Sequence, residues 1–224
     1  MKFPNAYKAV KKLFVAEILS LIIIILNLVA SVISAVVVIN DSSEETLLLA
    51  AGGIILFTLF ASIVVFIFQL VALIQGGKDE SHFKVALFMV VIIILVNIAS
   101  SILRFIDATK DIDVLFTVLD AVTTVANVIV LVAILYSISS LADRLRDRKM
   151  SDKGSTLAVI IVLLFIASLI FDLVPTFFQG LNRAWEITFA IFGIAATIIQ
   201  VLIYINVVIY YYKASKMLKR SEQQ

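Results

Sequence analysis

The stretch "IIIILNLVAS", residues 22–31, decides the fold of this chain, because it is almost entirely apolar and yet contains one carboxamide, Asn27. A closely similar sequence, "IIILVNIASS", occurs at residues 92–101, with Asn97 in the matching position. Both stretches lie inside longer apolar runs. The hydrocarbon core of a bilayer takes roughly 20 apolar residues of helix to cross. These runs therefore predict transmembrane helices.

The composition supports the same prediction for the whole chain. Of the 224 residues, 62% are hydrophobic and 15% are charged, and the mean hydropathy is +1.15. A soluble globular domain is about half apolar, so the composition is that of an integral membrane protein. The chain has no cysteine, which excludes disulfides, thiolate metal ligands and a cysteine nucleophile.

Six apolar runs are separated by short polar segments, and together they predict an all-α, multi-pass membrane protein with one membrane domain over residues 1–224. The predicted spans are about 13–39, 47–75, 84–106, 114–141, 156–178 and 185–212. They pair as three antiparallel hairpins. The pairs Asn27 with Ser31, Asn97 with Ser101, and Asp172 with Thr176 suggest a threefold internal repeat. Convergence among Ile- and Leu-rich helices is the alternative.

Lysine and arginine predict the orientation. Of 18 such residues, 15 lie in four segments that alternate along the chain, at residues 2–12, 78–84, 144–153 and 213–220. Cytoplasmic loops carry the excess of positive charge. The distribution predicts that both termini are cytoplasmic and that the protein lies in the cell membrane.

Polar side chains inside the spans are the candidate functional residues. An amide that faces lipid tails leaves its donors and acceptor unpaired, at a cost of several kcal/mol, so these side chains are expected to face neighbouring helices. The predicted binding cavity lies in the outer half of the bundle and uses Asn27, Asn97, Asp120, Thr124, Asn127 and Gln200.

Two ion pairs are also expected from the charged residues in or near the spans, where ionised groups are costly. Arg104 is the candidate partner of Asp120 across the hairpin of spans 3 and 4. Glu17 is expected to pair with Lys12 and to reach the inner interface. In the half that faces the cytoplasm, Gln69 and Tyr204 are further polar residues in otherwise apolar helices.

Two functional interpretations remain open. In one, the polar residues line a cavity in a transporter-like protein that binds a small solute or lipid. In the other, they are interhelical hydrogen bonds, worth about 0.6 kcal/mol each, in a non-catalytic subunit or scaffold that binds another membrane protein. Both make the bilayer the immediate partner, and neither involves nucleic acid.

The sequence predicts no enzyme, cofactor or metal site. His82 is the only histidine, so a histidine-based metal site or catalytic triad cannot be assembled. The chain also contains no phosphate-binding glycine motif and no G-x-S-x-G motif.

Overall fold

A computed structural model describes residues 3–39, 45–106, 113–177 and 183–221 of the chain. Side chains are described over 3–27, 29–30, 52–103, 115–167, 199 and 201–221. All regular structure in these ranges is helical. The prediction of an all-α chain is therefore confirmed for the described residues.

The helices follow the apolar runs of the sequence. Their bounds are α1 Pro4–Ile39, α2 Glu45–Gly76, α3 His82–Ile106, α4 Asp113–Arg144, α5 Arg148–Phe177 and α6 Arg183–Arg220. Within the described part of the chain, four segments are long and apolar enough to cross a membrane: Gly52–Gly76, His82–Leu103, Leu115–Arg144 and Arg148–Ala167. Large apolar side chains project from them, among them Phe57 and Phe60, each more than 60% exposed. Such a surface suits lipid rather than water as its solvent.

Hydrogen bonds bring four basic segments of the chain together at one end of the bundle, which we call the basic end. It contains the start of α1, the turn at residues 77–81, the α4–α5 connection and the last turns of α6. The Asp79 carboxylate accepts the backbone N–H groups of Asn5 and Ala6, both at 2.8 Å, and so caps α1. Arg144 of α4 lies 2.8 Å from Glu80 of the same turn.

The most completely buried side chains also lie towards the basic end. Ala9 and Leu13 of α1, Phe83 of α3, Leu141 of α4 and Tyr210 of α6 belong to one cluster, and each has no exposed surface. Helix α1 runs without interruption from Pro4 into this cluster. Its first turns are therefore part of the packed core.

The α4–α5 connection is held by a Schellman motif. The N–H of Asp147 bonds to the carbonyl of Ala142 at 2.9 Å, and the N–H of Arg146 bonds to that of Asp143 at 2.8 Å. Arg146 has a φ of 59°, the left-handed conformation that this motif requires. The Asp147 carboxylate then accepts the N–H of Met150 at 3.1 Å and caps α5. The chain thus reverses direction in three residues.

Helix packing within the described residues follows the order of the chain. The largest contacts are those of α1 with α2, α3 with α4, and α4 with α5, and α6 closes against α1. Small residues allow close approach of α4 and α5. The Ser139 hydroxyl lies 2.8 Å from the carbonyl of Ser151 and 3.0 Å from the hydroxyl of Ser155. Gly154 faces Tyr210 so closely that a Cβ atom would collide with the phenol.

Candidate binding site around a buried glutamate

Within the helices that the structure describes, Glu17 is the most deeply buried acidic or basic side chain. It is 9% exposed and lies on α1, about 20 Å along the axis from Pro4 at 1.5 Å per residue. The Tyr204 hydroxyl of α6 donates to its Oε2 atom at 2.6 Å and also lies 3.0 Å from its backbone oxygen. This distance lies at the short end of the range for O–H···O hydrogen bonds. The bond joins α1 to α6 through two residues that are 187 positions apart in the sequence.

A cavity of about 290 Å³ opens beside this pair, and we call it the central cavity. Its polar lining consists of Glu17 and Tyr204 together with Gln69 of α2 and Asn127 of α4. Gln69 also interacts with the Glu17 carboxylate. The remaining wall is apolar and comes from α2, α3 and α4, at Phe66, Leu73, Val90, Ile93, Val130, Leu131 and Ile134. Five helices therefore enclose one carboxylate, one phenol and two amides.

Within the described residues, the partners of the Glu17 carboxylate are neutral. Among the residues that the structure describes, ion pairs involve Glu80 with Arg144 and His82, and none involves Glu17. A buried carboxylate without a counter-ion is costly. A cation that enters the central cavity would supply the missing charge, and the amides of Gln69 and Asn127 would supply further oxygen ligands.

Tyr204 also separates the central cavity from a second one. This side cavity, again about 290 Å³, lies between α4, α5 and α6. Thr124 and Tyr204 are the polar residues in its lining, and Leu131 and Tyr204 line both cavities. Loss of the bond from Tyr204 to Glu17 would release the phenol that forms this wall.

The expected pairing of Glu17 with Lys12 is wrong. Lys12 Nζ donates instead to Oε1 of Gln75, at 3.0 Å. Five residues on an α-helix correspond to a rotation of about 140°, so Lys12 and Glu17 point to different neighbours. Lys12 reaches Gln75 of α2, whereas Glu17 reaches Tyr204 of α6 and Gln69 of α2.

Asn27 is exposed on the described chain, but it makes the bond to a neighbouring helix that is expected of an amide within a span. The Thr58 hydroxyl of α2 donates to Asn27 Oδ1 at 2.9 Å, and Thr58 is 4% exposed. The predicted bond to a neighbouring helix is thus confirmed for this residue. Ser62, by contrast, bonds the carbonyl of Thr58 in its own helix at 2.7 Å.

The structure brings only part of the predicted cavity together. Asn127 lines the central cavity, and Thr124 lines the side cavity. Asn27, Asn97 and Asp120 line neither of them, and all five of these residues are exposed on the described chain. The Thr124 hydroxyl bonds the carbonyl of Asp120, not its carboxylate, at 2.8 Å.

Two other predicted residues, Gln200 and Arg104, have side chains outside the described residues. The predicted Arg104–Asp120 ion pair and the predicted cavity in the outer half therefore stay predictions.

Comparison with known proteins adds no relative. No family model, curated protein or solved structure matches this chain. Within the described ranges, no three Asp, Glu or His side chains lie together as a ligand set for a metal ion.

Sequence reasoning missed the site because its members are distributed over four helices. Glu17, Gln69 and Tyr204 are recognisable in the sequence as polar residues in the less polar half of their spans. That isolation was the available signal. Each of these three polar groups needs a hydrogen-bond partner inside the helices. Because they lie at similar depth on different helices, they are expected to bond to one another.

Proposed function

We propose that the chain is a six-span protein of the cell membrane, built from three antiparallel hairpins with both termini in the cytoplasm. The six apolar runs and the four basic segments support this topology. The joining of those segments at the basic end adds structural support, because they would then emerge on the same side. The four apolar helical segments are the part of this arrangement already evident in the described residues.

For its function, we propose a transporter-like protein that binds a small organic cation in the central cavity. The observation that carries this proposal is the buried carboxylate of Glu17, which faces a cavity and, in the described part of the chain, has only neutral partners. Ionised groups inside membrane helices are rare and mark binding or transport pathways. A volume of about 290 Å³ lies at the lower end of the range for small-molecule sites.

The lining favours an ammonium compound. A carboxylate supplies the opposite charge, and the amide oxygens of Gln69 and Asn127 accept hydrogen bonds from N–H or O–H groups of the ligand. The rings of Tyr204 and Phe66 offer π-faces, which attract cations. The apolar wall from α2, α3 and α4 would contact the hydrocarbon part of such a ligand.

The first experiment is a ligand panel on the purified protein in neutral detergent. Ethanolamine and choline are expected to raise the melting temperature, and the uncharged carbon isostere of choline is expected to leave it unchanged. Uptake of radiolabelled choline into proteoliposomes then tests transport separately from binding.

Glu17→Gln is the decisive variant, because the amide retains an acceptor for Tyr204 but removes the charge. It is expected to weaken ammonium binding at least about tenfold, which corresponds to about 1.4 kcal/mol. Asp152→Asn is the matched control, since Asp152 is exposed at the basic end. Equal responses of the two variants to choline would contradict the proposal.

The bond between Asn27 and Thr58 favours a second candidate, a non-catalytic subunit or scaffold held by interhelical hydrogen bonds. In that case Glu17 only holds α6 against α1. Substitutions at Glu17 and Tyr204 would then change thermal stability, and no compound of the panel would change the melting temperature of the wild type.

A further inference from the structure

A cleft of about 350 Å³ lies at the basic end, away from the central cavity. It is formed by the α4–α5 connection and the last turns of α6. Lys213, Lys216 and Arg220 project from α6 and form its charged side. Leu145, Met150 and Met217 form an apolar side. One wall therefore attracts anions, and the other suits hydrocarbon.

The positive charge of this cleft is not neutralised within the part of the chain that the structure describes. The only carboxylate in the lining belongs to Asp147, which already accepts a backbone N–H as the cap of α5. No ion pair among the described residues joins it to the three cations. Lys216 lies 4.3 Å from the centroid of the Tyr212 ring, an interaction that orients its charge without cancelling it.

The Schellman motif fixes the opposite wall of the cleft. It holds Leu145, just after α4, and Asp147, just before α5, two positions apart in a turn that hydrogen bonds tie to both helices. The cleft is therefore bounded on one side by an ordered turn and on the other by a continuous helix. Its width does not depend on a free chain segment.

We propose that this cleft binds the headgroup of an anionic phospholipid, with the phosphate against Lys213, Lys216 and Arg220 and the start of the acyl chains against Met150 and Met217. The combination of charged and apolar walls favours a lipid over a soluble anion, because a soluble anion would use only the cations. The cleft lies one turn beyond Tyr212, an exposed tyrosine of the kind that marks the interface of a membrane. Anionic lipids attract basic residues there by about 1 kcal/mol each.

The test uses the full-length protein in neutral detergent with short-chain lipids. Dioctanoyl phosphatidylglycerol is titrated against the wild type, and bound lipid is counted by native mass spectrometry. Dioctanoyl phosphatidylcholine is the zwitterionic comparison, and glycerol phosphate is the soluble anion. We expect phosphatidylglycerol to bind more tightly than both. Equal binding of phosphatidylcholine, or equal competition by glycerol phosphate, would overturn the assignment.

Substitution of all three cations by glutamine (Lys213→Gln, Lys216→Gln and Arg220→Gln) is expected to weaken phosphatidylglycerol binding on the order of a hundredfold, at about fivefold for each charge. If this variant does not fold, Lys216→Gln alone is expected to weaken it about fivefold. Retention of wild-type affinity by either variant would overturn the proposal.

A charge-matched control separates the cleft from the general charge of the basic end. Lys8, Lys11 and Lys78 are exposed and lie outside the cleft lining. Their replacement by glutamine removes the same net charge and is expected to leave lipid affinity within about twofold. An equal loss in this control would assign the binding to net charge and would contradict a site.

Discussion

Replacement of Tyr204 by phenylalanine should destabilise the protein, because it removes the hydroxyl that bonds Glu17 at 2.6 Å. Hydrogen bonds to charged groups contribute about 1.5–3 kcal/mol, whereas interhelical bonds in membranes rarely exceed about 1.7 kcal/mol. We therefore expect a loss of about 1.5 kcal/mol. For a chain of this size, that corresponds to a fall of roughly 3–6 °C in melting temperature.

The assay is thermal denaturation in detergent, followed by the fraction of protein that remains monodisperse. Tyr211→Phe is the matched control on the same helix. Tyr211 is completely buried, and within the described residues its hydroxyl has no hydrogen-bond partner. Removing an unpaired buried hydroxyl should leave stability unchanged or raise it by up to about 1 kcal/mol. Removal of the hydroxyl should thus lower stability at residue 204, and leave it unchanged or raise it at residue 211, two helical turns further along α6.

A double-mutant cycle assigns the loss to the bond itself. Tyr204→Phe should cost about 1 kcal/mol less in the Glu17→Ala background than in the wild type, because the partner is already absent. Additive losses would refute the pairing, as would equal melting temperatures for the Tyr204 and Tyr211 variants.

Three further predictions concern the basic end, and each is measured by the same thermal denaturation. Arg144→Gln should be more destabilising than Glu80→Gln, by about 1 kcal/mol or more. The arginine variant leaves the Glu80 carboxylate, which is 1% exposed, without its cation, whereas the glutamate variant leaves an arginine that is half exposed to solvent. A greater loss for the glutamate variant would contradict this. Gly154→Ala should cost about 1–3 kcal/mol, since the new methyl group collides with a fully buried phenol; an unchanged melting temperature would show that the phenol moves freely. Arg146→Gly should raise stability by about 0.5 kcal/mol, because glycine adopts the left-handed conformation without strain, and a loss would indicate a contact of the arginine side chain.

The helices were predictable because membrane spans follow from local composition. A run of apolar residues must become helical in hydrocarbon, since each backbone group needs a partner within the segment. The helix bounds differ from the predicted bounds by one or two residues at most ends and by more at the basic end. Helix α1 starts at Pro4 rather than near residue 13, and α6 extends to Arg220. Turns outside the apolar runs pack against one another there, which a hydropathy profile does not report.

The site was less predictable, because a polar face does not specify its partner. Helical spacing indicates which side chains share a face of α1, but the rotation of α1 against α6 is set by packing across the whole bundle. Glu17 was therefore assigned to a nearby lysine rather than to a tyrosine 187 positions away. The sequence predicts that the Asn27 amide bonds to a neighbouring helix, but it does not identify Thr58 as the partner.

The most direct test of the cation site is equilibrium binding of radiolabelled choline to the protein in lipid nanodiscs. We predict one saturable site in the wild type, displaced by ethanolamine, and binding at least about tenfold weaker in Glu17→Gln. Saturable binding of equal affinity in the wild type and in Glu17→Gln would contradict the assignment of the central cavity as the site.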